Sequence, residues 1–107
     1  MTTLHIHLFG QLRLFWQERP YPFKALPKVE PLLVYLLLHQ DAPVQRDSLA
    51  FKLWPDATEK QAKGRLRRHL HDLRRALPPA PNDQPWLLLT AQTAQWNPAA
   101  PYWLVQT

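Results

Sequence analysis

From Leu4 the chain alternates: Leu4, Ile6 and Leu8 fall on one side, and after Gly10 the pattern resumes at Leu12, Leu14 and Trp16. An apolar period of two broken by a glycine predicts two short strands joined by a tight turn. The following ERPYPF holds two prolines, which lack the N–H a central strand needs, so it is at most an edge strand. At Val29 the period changes. Leu32, Leu33, Leu36 and Leu37 recur at helical spacing, with Tyr35 and Leu38 widening the face, and predict a helix over about residues 29–39. Pro31 is tolerated only in a first turn, which puts the start near Lys28 or Val29. Pro43 breaks the pattern.

A shorter helix is predicted over 46–54, with Leu49, Ala50, Leu53 and Trp54 inward and Pro55 as its stop. Thr58-Glu59-Lys60-Gln61 then reads as a capping box. It opens a third helix over 59–77, ended by Pro78-Pro79. PPAPND reads as a loop. Trp86 to Thr90 is an apolar strand with Thr93 to Trp96 returning antiparallel, a hairpin over about 86–97. The proline-broken tail NPAAPYWLVQT is expected to pack back through Tyr102, Trp103 and Leu104. An antiparallel sheet over about 4–24, three helices and a hairpin predict one α+β domain filling residues 1–107. The last two helices form a helix-turn-helix and the hairpin a wing, a winged helix-turn-helix.

At 107 residues the chain supports one modest core. It has no cysteine, which excludes disulfides, thiolate catalysis and Cys-ligated zinc. The longest apolar run, Leu32 to Leu38, is far short of the roughly 20 residues a membrane span needs. No secretory signal is visible, and the expected location is the cytoplasm. The net charge of +5 favours an anionic partner, and its distribution says more than its sum.

Seven of the thirteen Lys and Arg residues lie in the third helix: Lys60, Lys63, Arg65, Arg67, Arg68, Arg74 and Arg75. Its only acids are Glu59 and Asp72. At ~100° per residue Ala62, Leu66, Leu70, Leu73 and Leu77 share the core side. Lys60, Gly64, Arg67, Arg68, His71 and Arg75 lie opposite, and Lys63, Arg65, Asp72 and Arg74 fall on the flanks. The helix lacks the alternating i,i+4 ion pairs expected of a merely solvated face. An Arg fork matches guanine N7 and O6 in the DNA major groove. Gly64, Arg67, Arg68 and His71 are therefore the candidates for base contacts. Gly64 either lets DNA approach the helix backbone or is simply tolerated.

The candidates for phosphate contacts are Arg46, Lys60, Lys63, Arg74 and Arg75, with Lys24 and Lys28 as weaker ones. Thr90, Gln92 and Thr93 sit where a wing tip touches the DNA backbone or minor groove. That wing has no Lys or Arg, so its contribution should be small. His69 and His71, two apart on a helix, diverge and cannot share a metal. His5 and His7 share a strand face. No HExxH, glycine-rich phosphate loop or Ser/His/Asp grouping is present, so no catalytic residue, metal, cofactor or small-molecule substrate is expected. The five tryptophans are assigned to the core or its edges.

LFGQLRLF, KVEPLLVYLLLHQDAPVQRDSLAFKLWPD, LRRHLHDLRRAL and WNPAAPYWL together resemble a known family. It is the N-terminal winged helix of the Streptomyces antibiotic regulatory protein (SARP) activators, of the OmpR/PhoB type. The resemblance spans nearly the whole chain. It implies an N-terminal four-stranded sheet, with the last helix in the major groove and the hairpin at the adjacent minor groove. It also implies head-to-tail dimers on direct repeats and contact with RNA polymerase through the loop here at Pro55 to Glu59. The chain departs from the family in lacking an acidic residue after Tyr102-Trp103-Leu104, in Arg19-Pro20 where a turn glycine is common, and in its uncharged wing. These 107 residues do not include the family's helical repeat region that follows the winged helix. The expectation is sequence-specific binding of double-stranded DNA as part of a bacterial transcriptional regulator, with an activator being what the SARP resemblance implies. The alternative is a protein-interaction module whose basic face grips an acidic partner.

Overall fold

A computed structural model of the chain describes residues 3–105, so residues 1–2 and 106–107 lie outside the description. β1 (Leu4–His7), β2 (Arg13–Trp16) and β3 (Arg19–Tyr21) form an antiparallel meander at the N-terminal end. Leu4, Ile6 and Leu14 point inward and are buried, as the alternation requires. β3 is the sheet edge, where Pro20 leaves no inner ladder bond unmade. The β2–β3 turn has only two residues, since Trp16 faces Arg19 across the pair. Both of them, Gln17 (φ 53°) and Glu18 (φ 64°), are left-handed. That geometry matches the right-handed twist of the flanking strands but normally selects Asn-Gly.

α1 (Val29–Leu38), α2 (Arg46–Leu53) and α3 (Glu59–Ala76) follow. Pro31 is the third residue of α1, where its missing N–H leaves no helical hydrogen bond unmade. Val29, Leu32, Leu33, Leu36 and Leu37 are completely buried, making α1 the centre of the core. Between α1 and α2 lies a two-residue strand, β4 (Val44–Gln45), which the sequence pattern does not announce. A single 3-10 turn, Pro81–Asp83, interrupts the expected loop after α3.

β5 (Leu87–Leu89) and β6 (Thr93–Trp96) make the wing hairpin, and β4 pairs with β6 to give a sheet of order β4-β6-β5. The tail packs back as a full strand, β7 (Tyr102–Val105), lying parallel to β1 and completing the sheet β3-β2-β1-β7. That sheet is therefore mixed rather than antiparallel. Pro98 and Pro101 both precede the strand, so all its N–H groups remain available for pairing. Of the five tryptophans, Trp103 departs from the expected core placement. It alternates outward from Tyr102 and Leu104 and is 63% exposed.

Asp72 also departs from expectation. Its position on the flank of α3 is covered by the segment before α1, and it is 8% exposed. Its carboxylate accepts the backbone N–H of Leu26 at 2.7 Å and the guanidinium of Arg75. These donors, the Leu26 N–H first, hold its pKa below the ordinary 3.8. A buried acceptor is kept because it is satisfied twice.

Two stability measurements follow. Replacing Gln17-Glu18 by Asn-Gly removes left-handed strain and should raise stability by about 1 kcal/mol, or about 4–8 °C in Tm. Asp72→Ala should cost about 1–2 kcal/mol at neutral pH. A depressed carboxylate pKa stabilises the fold above the unfolded value and loses that contribution as pH falls through the folded one. Denaturant titrations should therefore show a constant gap between variant and wild type above about pH 5, closing in acid.

Candidate nucleic-acid interface

α3 begins with a complete capping box. The Thr58 hydroxyl accepts the Gln61 N–H at 3.2 Å, and the Gln61 side chain accepts the Thr58 N–H at 3.2 Å. Its 18 residues extend about 27 Å at ~1.5 Å per residue. Ala62, Leu66, Leu70, Leu73 and Ala76 are buried, so the helix is fixed along one full side. Trp54 locks α2 against it, packing edge-on to His69 at 4.7 Å between ring centroids. His69 donates from Nδ1 to the Arg65 carbonyl at 2.6 Å. His71 is exposed on the opposite side, as the divergence of the two histidines requires.

Lys60, Arg67, Arg68, His71 and Arg74 are exposed along the free side of α3, and Gly64 is half-buried among them. Beyond its chain neighbours and the adjoining backbone of α3, a Cβ added at Gly64 meets no heavy atom within 4 Å. The fold itself therefore supplies no steric reason for glycine there. Beside the N-terminal half of α3 runs a groove of about 830 Å³, walled by the start of α2 and the hairpin tip. It brings together Arg46, Lys60, Lys63, Gly64, Arg67 and Gln92. Arg68, His71, Arg74 and Arg75 do not line it.

The remaining cations differ in their freedom. Lys63 is ion-paired to Glu59 at 3.0 Å, the i,i+4 partner, and to Asp47 of α2 at 3.6 Å. The helix thus carries an i,i+4 pair at its start, because Glu59 stands one turn before Lys63. Hydrogen bonding to Glu59 and the charges of Asp47 and Glu59 raise the Lys63 pKa above its ordinary 10.5. Arg75 is paired to Asp72 rather than free. Lys28 donates to the Leu53 carbonyl at 2.6 Å, closing the C-terminal end of α2, and its ammonium lies 5.9 Å from the Trp54 ring centroid.

Arg46 is held by the wing. Its backbone N–H donates to the Gln92 carbonyl at 2.9 Å and its Nε to the Thr93 carbonyl at 3.4 Å. Within the wing tip, the Thr90 hydroxyl accepts the N–H groups of Gln92 and Thr93 and lies 2.8 Å from the Thr93 hydroxyl. Those two threonines hold the turn, which leaves the Gln92 side chain at the rim of the groove.

Asp47 went unnoticed in the sequence, since nothing local links it to a lysine sixteen positions on. Asn97 did too: it is 5% exposed and bonds the Trp86 and Pro85 carbonyls at 2.8 Å, fixing the corner after the hairpin. Among the described residues no group of three His, Asp or Glu side chains is placed to hold a metal, and no helix is long and apolar enough to cross a membrane.

No family model matches the sequence, and no curated protein matches it. The fold is similar to a solved structure of EmbR from Mycobacterium tuberculosis, in complex with a low-affinity phosphopeptide. The TM-score is 0.72 at 23% identity, over 91% of this chain and 26% of that one. The chain thus spans about a quarter of that chain's length. What the two share is the fold, and the structure of this chain is a winged helix.

Proposed function

We propose that this chain is a winged-helix unit that binds double-stranded DNA sequence-specifically, as the DNA-binding domain of a bacterial transcriptional regulator. The observation that carries the reading is the exposed side of α3. Lys60, Arg67, Arg68 and Arg74, with Gly64 and His71 among them, form a cationic surface on a helix whose other side is buried. A duplex presents about one negative charge per ~1.7 Å, and a major groove ~12 Å wide admits such a helix. Arg67 and Arg68 are the base readers, with Gly64 and His71 beside them. Lys60, Arg74 and Arg46 meet phosphates, and Gln92 is the wing's contribution. Such a protein acts in the cytoplasm, needs no cofactor and is not an enzyme.

The exposed Pro55-Asp56 turn suits a contact with RNA polymerase in an activator. It borders a cleft of about 320 Å³ lined by Phe51, which is 70% exposed, and Trp54 together with the charged Asp47, Glu59 and Lys63. Head-to-tail pairing on direct repeats is the arrangement the SARP resemblance supports.

Gly64→Ala separates fold from function. With open space around the new methyl, the variant should gain about 1 kcal/mol of stability. It should nevertheless bind its DNA site more weakly, as measured by thermal unfolding and fluorescence anisotropy. Arg67→Ala or Arg68→Ala should cost about 1–3 kcal/mol on a selected site and relax one base preference. Lys60→Ala and Arg74→Ala should weaken selected and random duplexes alike and lower the salt slope by about 0.9 each. No binding to random duplex even at low salt would sink the reading and favour the acidic protein partner.

A further inference from the structure

The α2–α3 boundary contains an arrangement that DNA binding by itself does not require. Lys63 faces the groove that also holds Arg46, Lys60 and Arg67, yet its ammonium is shared by two carboxylates. The three groups sum to one positive against two negative charges. The carboxylates are well exposed, at 74% for Asp47 and 78% for Glu59, so neither is needed to satisfy a buried partner. Exposed ion pairs contribute little to stability; apart from Lys63, Asp47 and Glu59 serve only as negative charges in the first turns of α2 and α3, where they suit the helix N-termini. Asp47 and Glu59 come from different helices and converge on one lysine, at the place where the cationic surface meets the groove.

We propose that Asp47 and Glu59 compete with DNA phosphates for Lys63 and thereby limit the protein's affinity for any duplex. The inference rests on the DNA-binding reading above. Backbone binding is driven by counterion release, and each Lys or Arg that neutralises a phosphate steepens the salt slope by about 0.9. A lysine already neutralised by its own chain displaces no counterion. The two carboxylates additionally repel the backbone. Lys63 therefore sits in the contact zone without acting as a phosphate contact, while Lys60 and Arg67 remain available. The consequence is reduced occupancy of bulk DNA, which favours release from the many sites that offer only phosphates.

The test measures duplex affinity against salt for the wild type, D47N/E59Q, K63Q and the triple variant. D47N/E59Q should bind random duplex about eightfold more tightly at 0.1 M salt, with a slope steeper by about 0.9, the value of one released contact. K63Q should leave the slope nearly unchanged in the wild-type background and reduce it by about 0.9 in D47N/E59Q. Equal slope changes in both backgrounds overturn the inference. So does weaker binding by D47N/E59Q, which would make the carboxylates readers of base amino groups. If the wild type itself binds no duplex at low salt, the DNA-binding reading fails and this inference with it. Thermal unfolding of each variant confirms that the fold is retained, as expected for three exposed side chains.

Discussion

The direction in which α3 presents its cations is set by the apolar stripe on its other side. Leu66, Leu70 and Leu73 are at most 2% exposed and pack with Leu32, Leu33, Leu36 and Leu37 of α1 and Leu49 of α2 in one core. Burying a leucine contributes about 1.5–3 kcal/mol, so rotating the helix about its axis forfeits several such terms at once. A surface of like charges has no cohesion of its own. Here it is held in register by packing on the opposite face, and the electrostatics are a passenger of the hydrophobic effect.

The wing is tied to the rest of the molecule by aromatic contacts instead of charge. Trp16 of β2, Trp86 just before β5, Trp96 of β6 and Tyr102 of β7 form a run of rings with centroids 5.4–6.0 Å apart. Trp86 also donates through Nε1 to the Pro78 carbonyl at 2.8 Å, linking the exit of α3 to the hairpin. The pairing of β4 to β6, continued by Arg46 bonded to the hairpin tip, adds a further link that holds the wing beside α3. The groove between them is consequently a feature of the folded chain and needs no ligand to form it.

Local signals account for most of what the sequence reveals. The period-two alternation places β1 and β2, and the Thr58/Gln61 box marks the start of α3 because both partners are three residues apart. Prolines delimit α2 and α3 for the same reason. What the sequence conceals depends on distant partners. Asp72 looks like one more flank residue until Leu26 arrives from 46 positions away, and Asp47 looks unremarkable until Lys63 does. β4 is two residues long and exists only because β6 is there to pair with. Within α3, residue types and helical spacing give the location of the charge. Its division into free and neutralised cations was legible where partners stand at i,i+4 (Glu59–Lys63) or i,i+3 (Asp72–Arg75), and the Asp47–Lys63 pair alone of these required the tertiary structure.

The parallel pairing of β7 with β1 has a consequence for how the chain folds. Leu4 lies opposite Tyr102, and His7 opposite Val105, so the sheet begun by the first described strand is closed by the last. Contacts between such distant segments are entropically late and slow to form. During synthesis, β1 is exposed along one edge until β7 has left the ribosome, whereas the helices can collapse earlier on local contacts. An unpaired apolar edge in a nascent chain is a point of vulnerability to misassociation. The time to complete this domain is governed by its least local pair of strands, far from the helix that defines its chemistry.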